Sequence, residues 1–152
     1  MSSKSVSDGG VPKRPLATAE LTPTGFVGDR QNDLKHHGGP DRAVCLYSLD
    51  LILALQAEGH PIYPGAIGEN LTVAGLDWRD VQPGARFQIG EEVILEITNY
   101  AVPCSKIQAA FKENRFPRVS PTLEPGWARA YARVLRTGSV RIGDTIQYVG
   151  KE

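Results

Sequence analysis

The stretch that decides the fold is VQPGARFQIGEEVILEITN, residues 81–99. Apolar residues recur in it at every second position on both sides of Gly90. Because successive side chains of a strand point to opposite faces, this spacing is typical of a strand with one buried face. Two such runs around a glycine predict a β-hairpin. The apolar positions are Phe87, Ile89, Val93, Leu95 and Ile97.

Three further segments favour strands. Residues 43–47, AVCLY, form a short apolar run that predicts a buried strand, and residues 70–73 predict another. Residues 131–135, YARVL, fit both helical and strand spacing, and the strand-like ending after Gly138 favours the strand. The chain also holds 16 glycines and 11 prolines, which favour many turns and a β-rich fold over a helical bundle.

Two segments predict helices. Ser48 can cap a helix that carries Asp50 in its first turn and ends at Gly59. Apolar residues at helical spacing predict a second helix from about Ser105 to Asn114. The predicted class is therefore mainly β (α+β), with a curled, mostly antiparallel sheet and two or three short helices.

The length, charge balance and cysteine content of the chain limit the class of protein to which it can belong. A length of 152 residues suits one domain, and we expect a flexible start at residues 1–8 and a single domain at residues 9–150. Because 17 basic residues balance 17 acidic ones, no global basic field indicates nucleic-acid binding. The opening residues lack the apolar core of a secretory signal, and no stretch approaches a membrane span. Two cysteines without a repeated spacing predict a cytoplasmic protein.

Cys104 is the first candidate for chemistry. It lies in NYAVPCSKI, residues 99–107, where strand alternation stops and helical spacing starts. The unpaired N–H groups of a helix start, with Lys106 nearby, would favour a thiolate, which attacks electrophiles and binds soft metals. The alternative is a buried cysteine that packs as a small apolar side chain, and position alone leaves both interpretations open. Cys45, inside the apolar run 43–47, is expected to be such a core residue.

A second candidate site is the loop around His36 and His37, followed by Gly38 and Gly39. Adjacent histidines in a strand would point to opposite faces, so they are poor joint metal ligands. The glycines allow close backbone approach to a ligand, and His37 could donate to an anion. The alternative, which the residues alone favour, is a tight loop whose histidines cap backbone groups.

The third candidate is Gly68-Glu69-Asn70. Asn70 can donate and accept hydrogen bonds, which suits the edge of a heterocycle, and the alternative is an ordinary turn. The chain also holds scattered cations that would form an anion-binding cleft if they converged on Cys104, and they are Arg30, Lys35, Arg42 and Arg133. Individually, each is an ordinary solvated surface charge.

Seven motifs occur in order along nearly the whole chain, from about Gly9 to Val149. They are GGVPK, GFVGDR, HGGPDRAV, GENLTVAGL, VPCSKI, GW and GSVRIGD. This ordered set resembles the MOSC domain family, named after the C-terminal domain of molybdenum cofactor sulfurases. The resemblance implies a closed or partly closed antiparallel β-barrel with short helices, and a pterin-based molybdenum cofactor (molybdopterin) as ligand.

The resemblance also implies roles for residues. In relatives that bind the cofactor, the cysteine of the PC motif ligates molybdenum through sulfur, and Cys104 holds that place. A soft metal suits a thiolate, and the cofactor's phosphate needs N–H donors and cations. The candidate cofactor-binding residues are Arg30, His37, Gly38, Gly39, Arg42, Asn70, Lys106 and Arg133.

Two activities follow from the resemblance. The first is a molybdenum-dependent reductase of N-hydroxylated compounds that works with an external electron-donor protein, with Cys104 as metal ligand. The second is a non-redox sulfur (persulfide) or cofactor carrier that works with a cofactor-sulfurating partner, and a third possibility is a binding module without catalysis. Pyridoxal phosphate is not expected, because no lysine context supports it. Neither nucleic acid nor a membrane is an expected partner.

Overall fold

A computed structural model describes residues 3–6, 14–15, 18–23, 25–26 and 40–151 of the chain. Within these ranges the chain forms eleven strands, one α-helix and five short 3₁₀ segments. The strands are β1 (Ser3–Val6), β2 (Arg14–Pro15), β3 (Thr18–Thr22), β4 (Gly25–Phe26), β5 (Val44–Ser48), β6 (Leu71–Val73), β7 (Ala85–Ile89), β8 (Val93–Tyr100), β9 (Ala130–Arg136), β10 (Gly138–Arg141) and β11 (Ile146–Lys151). The helix is α1 (Leu49–Ala57), and the 3₁₀ segments are Pro40–Arg42, Trp78–Asp80, Ser105–Ala110, Lys112–Asn114 and Phe116–Val119.

The strands form one large sheet and one small sheet. The large sheet has the order β11-β7-β8-β9-β5-β6-β1-β2, and the small one has the order β10-β3-β4. All described pairs are antiparallel except β5 with β6. Irregular registers between β8 and β9 and between β7 and β11 favour a curled sheet. The mainly β fold class is thereby confirmed.

The predicted hairpin is β7–β8, in which Phe87 lies opposite Leu95 and Ile89 lies opposite Val93. All four side chains are buried in the main core. Gly90 has a φ of +59°, which the turn between the strands requires and glycine adopts at little cost. The alternation of the sequence therefore specified both the pairing and the buried face.

The first predicted helix and the strand at residues 131–135 are also confirmed. The Ser48 hydroxyl accepts a hydrogen bond from the N–H of Leu51 (3.1 Å) at the start of α1. Gly59, with a φ of +101°, follows the end of that helix. Residues 130–136 form β9, which pairs with β5 on one side and β8 on the other.

The predicted α-helix from Ser105 to Asn114 is wrong, because two 3₁₀ segments occupy this stretch. Phe111 interrupts them with an extended backbone (φ −121°, ψ 139°) that buries its ring against His60, with ring centroids 5.5 Å apart. Glu113 and Asn114 then have positive φ values, which an α-helix cannot contain. Cys104 therefore precedes a six-residue 3₁₀ segment, Ser105–Ala110.

The expected single domain at residues 9–150 stays a prediction. Within the start expected to be flexible, β1 pairs with β6, and Lys4 lies opposite Leu71. No helix in the described ranges combines the length and the apolar character needed to span a membrane.

Candidate functional site

Cys104 lies in the connection that follows β8, immediately before the 3₁₀ segment Ser105–Ala110. Its backbone is extended (φ −141°, ψ 174°), and its carbonyl accepts a hydrogen bond from the N–H of Ile107 (3.1 Å). The side chain makes no capping hydrogen bond and is partly exposed. The local fold thus uses the Cys104 backbone as an anchor and leaves the thiol for other contacts.

A small apolar cluster lies beside this connection and separate from the main core. It consists of Cys45, Ala101 and Tyr131. Tyr131 on β9 lies opposite Cys45 on β5 and opposite Asn99 on β8. Tyr131, Cys45 and Asn99 therefore share one face of the sheet. Cys45 is only 8% exposed, as expected for a core strand. This face of the sheet lies beside the connection that carries Cys104.

Charged and sulfur-containing side chains surround the Tyr131 ring. The guanidinium carbon of Arg42 lies 5.3 Å from the ring centroid, within the range of a cation–π contact. Burial is the main cause that raises the pKa of Tyr131, and Cys45 and Cys104 raise it further. Arg129 and Arg42 act in the opposite direction. Both cysteines and two arginines therefore lie within electrostatic range of one buried hydroxyl.

The remaining predicted cations are placed differently. Lys106 is exposed on the 3₁₀ segment after Cys104. Arg133 follows Tyr131 on the same face of β9, and its Nε lies 3.5 Å from both Asp41 Oδ1 and Glu96 Oε1. Arg133 is thus engaged by two carboxylates, whereas Lys106 is a more open positive charge near the thiol.

Asn70 and its neighbours form a loop that points inward. Gly68 has a φ of +85°, which an L side chain rarely adopts. The Asn70 side chain is 1% exposed, and its Oδ1 accepts a hydrogen bond from the N–H of Cys45 (2.8 Å). The Asn70 N–H donates in turn to the Cys45 carbonyl (2.9 Å). This loop therefore fastens β5 at the position of Cys45.

The predicted site residues separate into three groups. Cys104 and Arg42 lie within electrostatic range of Tyr131. Lys106 is exposed on the 3₁₀ segment, Arg133 is held by two carboxylates, and Asn70 is bonded to the backbone of Cys45. The others fall outside the described residues, and they are Arg30, His37, Gly38 and Gly39. Their assignment to cofactor binding stays a prediction for every member of the set.

Sequence reasoning missed Tyr131 and Arg129 as site residues. Arg129 is only 3% exposed and is flanked by the buried residues Ala128 and Ala130. The alanines beside Arg129 give no signal of its burial, because adjacent residues of an extended chain point to opposite faces. Tyr131 carries no signal either, since an aromatic residue in a strand is ordinary.

The donor set determines which kind of metal group could bind. The described ranges hold no cluster of three or more His, Cys, Asp or Glu side chains that could bind a metal ion. A bare ion needs several protein ligands, whereas a metal already held by an organic cofactor needs few. One accessible thiol with Arg42 and Lys106 nearby therefore fits a soft metal carried by an anionic cofactor.

The exposures of the two cysteines lead to a first prediction. In the native protein, Cys104 should react with iodoacetamide on the order of a hundredfold faster than Cys45, because Cys45 must wait for the fold to open. Mass spectrometry of the digested protein at successive times measures both rates. In urea the two rates should converge, and equal rates without urea would contradict this placement of the thiols.

Sequence comparison identifies the class to which this fold and site belong. The sequence profile of the MOSC domain matches residues 33–147, so the chain belongs to the MOSC domain family. The resemblance carried by the seven motifs is thereby confirmed.

Two curated relatives and one solved structure show how the chain compares. It is 34% identical over 144 residues to the uncharacterized protein YflK of Bacillus subtilis, an alignment of 93% of this chain and 64% of that protein. It is 37% identical over 128 residues to a protein named "Reductase" from Gibberella moniliformis, covering 81% of this chain and 22% of the relative. The chain thus spans less than two thirds of the length of either relative.

The crystal structure of YiiM from Geobacillus stearothermophilus superposes with a TM-score of 0.74 at 24% identity. The superposition covers 97% of this chain and 73% of that one. The chain therefore has the same fold as that protein.

Proposed function

We propose that this protein binds a pterin-based molybdenum cofactor through Cys104 and reduces N-hydroxylated compounds with electrons from an external donor protein. The observation that carries the proposal is the partly exposed Cys104 thiol beside the cluster of Tyr131 and Arg42. Membership of the MOSC domain family and a relative named as a reductase support it.

Each residue has a part in the proposed mechanism. The bound cofactor would supply the two-electron redox centre. The Cys104 thiolate would hold the soft metal, and Arg42 and Lys106 would attract the anionic part of the cofactor. Tyr131, buried and neutral near physiological pH, would form an apolar wall that limits water. The overall reaction breaks the N–O bond, consumes two electrons and two protons, and releases an amine and water.

The partner and the compartment belong to the same proposal. The proposed reaction consumes two electrons, so an electron-donor protein would have to reach the Cys104 side of the sheet. Both cysteines are free, which suits the reducing conditions of the cytoplasm, where we propose that the protein works.

The test is expression in a host that is fed molybdate and has an intact pterin pathway. We expect about one molybdenum per chain together with the fluorescent oxidised pterin, and turnover of an N-hydroxylated base with a chemical electron donor. Metal and pterin without turnover would favour the cofactor carrier. Persulfide on Cys104 without molybdenum would favour the sulfur carrier, and the absence of both groups would contradict the proposal.

A further inference from the structure

Two ionisable side chains, Glu69 and Arg129, are buried in the interior of the protein. Glu69 is fully buried and Arg129 is 3% exposed, and the two interact electrostatically. Among the described residues, Glu69 Oε1 and Arg129 Nε have no hydrogen-bond partner. Burying a guanidinium is costly unless its N–H groups find acceptors, so the partners of Arg129 indicate what its position serves.

Arg129 joins two loops that are distant in sequence. Its Nη1 donates to the carbonyl of Ile67 (2.8 Å), and its Nη2 donates a longer bond to the carbonyl of Val102 (3.5 Å). The carbonyl of Arg129 also accepts a hydrogen bond from the N–H of Ala101 (2.9 Å). Arg129 therefore holds residues 101–102 with both its backbone and its side chain, two residues before Cys104.

Of the two held residues, Ala101 is fully buried and Val102 lies at the surface. The side chain of Val102 is 69% exposed, so its carbonyl, and not its side chain, ties it to the interior. Pro103 follows and cannot donate a backbone hydrogen bond. The Arg129 guanidinium is thus the inward anchor of the backbone that leads into Cys104.

The loop at residues 68–70 directly follows Ile67, whose carbonyl accepts the shorter of the two Arg129 side-chain hydrogen bonds. Glu69 Oε2 accepts a long hydrogen bond from Thr72 Oγ1 (3.4 Å), which helps to fix the carboxylate. Asn70 fastens the same loop to the backbone of Cys45. Both conspicuous side chains of the Gly68-Glu69-Asn70 motif therefore face the interior.

We infer that Arg129 is a positioning residue that holds the Ala101–Val102 backbone and thereby presents Cys104 to its ligand. Its importance for activity rests on the proposed function, but the positioning itself does not. The carbonyl of Ile67, which directly precedes the Gly68-Glu69-Asn70 loop, accepts from the same guanidinium, so Arg129 ties this part of the chain to the cysteine segment.

The test is hydrogen–deuterium exchange in Arg129→Gln, with Arg136→Gln as the matched control. Arg136 is a cation of the same strand, but it is exposed and donates to the carbonyls of Glu91 and Glu92. In Arg129→Gln we expect amides of residues 101–107 to exchange about tenfold faster, while those of the β7–β8 hairpin keep their protection. Arg129→Lys should restore part of the protection, because an ammonium can bind one carbonyl but not two.

Several outcomes would decide the inference. Unchanged exchange at residues 101–107 in a folded Arg129→Gln protein would overturn it. If Arg129→Gln does not fold, Arg129→Lys decides, and exchange equal to that of the wild type would overturn the inference as well. The molybdenum content of the same variants gives a separate readout. Faster exchange in a protein whose wild type never carries molybdenum would leave the positioning intact and refute the proposed function.

Discussion

If the protein binds molybdenum as proposed, Cys104→Ser is expected to lower the molybdenum content of the purified protein by more than about a hundredfold, beyond what the loss of an outer-shell partner costs a metal site. The reason is chemical, because serine keeps the size of the side chain and replaces a soft thiolate with a neutral alcohol that binds soft metals poorly. Activity with N-hydroxylated substrates should disappear together with the metal. Elemental analysis and turnover of the same preparation provide the measurement.

The matched control is Cys45→Ala, which removes the other thiol of the chain. Cys45 is buried against Tyr131, so its truncation should lower the melting temperature and leave the molybdenum content close to one per chain. A Cys104→Ser protein that keeps both metal and activity would refute the role assigned to Cys104. A Cys45→Ala protein that folds but loses the metal would instead indicate that the buried thiol of Cys45 is the metal ligand.

The elements that sequence predicted correctly are those in which a local pattern decides the structure. The β7–β8 hairpin follows from alternation around Gly90, and both strands bury the face that the alternation selects. The start of α1 follows from the hydroxyl of Ser48, which reaches a backbone N–H three residues away. In such elements the partners are close in sequence, so spacing alone contains the information.

The prediction of one continuous helix at residues 105–114 is wrong because of a tertiary contact. Ile107 and Ala110 are three residues apart and are both buried, which a 3₁₀ segment satisfies as well as an α-helix does. The ring of Phe111 then packs against His60, and the backbone must become extended to place it there. Since His60 is distant in sequence, no local pattern could reveal that the packing of Phe111 against it would interrupt the helix.

The candidate site shows the same division between local and distant information. Cys104 was recognisable because the strand alternation ends just before it. The contact of Arg129 with the carbonyl of Ile67 joins residues 62 positions apart, and only the sheet order brings them together. The inward direction of the Glu69 and Asn70 side chains was likewise invisible, because a Gly-Glu-Asn turn on a protein surface has the same sequence as a buried one.

The buried carboxylate of Glu69 should make the stability of the protein depend on pH. Burial raises the pKa of Glu69 from 4.5 to about 7, although the backbone N–H groups of Gly65 and Glu69, and then Arg129, partly oppose the shift. Tyr47 also faces this pair, and burial raises the pKa of its hydroxyl, so it stays neutral throughout this pH range. Glu69 is therefore the group of this network expected to change its charge between these two values.

The sign of the effect follows from which state binds the proton more tightly. Between the unfolded pKa of 4.5 and the folded pKa of about 7, the folded protein keeps the proton that the unfolded chain has lost. The free energy of unfolding should therefore fall as pH rises through this range, by about 3 kcal/mol in total, and level off above it. Glu69→Gln should abolish this contribution, because the amide has the same shape and does not titrate.

Urea unfolding at a series of pH values measures the effect in wild type and variants. The quantity to compare is the difference in unfolding free energy between wild type and Glu69→Gln at each pH, since the contributions of all other groups cancel in it. Glu91→Gln, an exposed position in the turn between β7 and β8, is the matched control and should follow the wild type. A wild-type to Glu69→Gln difference that stays constant across this range would show that Glu69 is ionised in the folded protein. The Glu69 carboxylate would then stay charged at every pH tested, and the backbone N–H groups of Gly65 and Glu69, together with Arg129, would have to offset the cost of burying it.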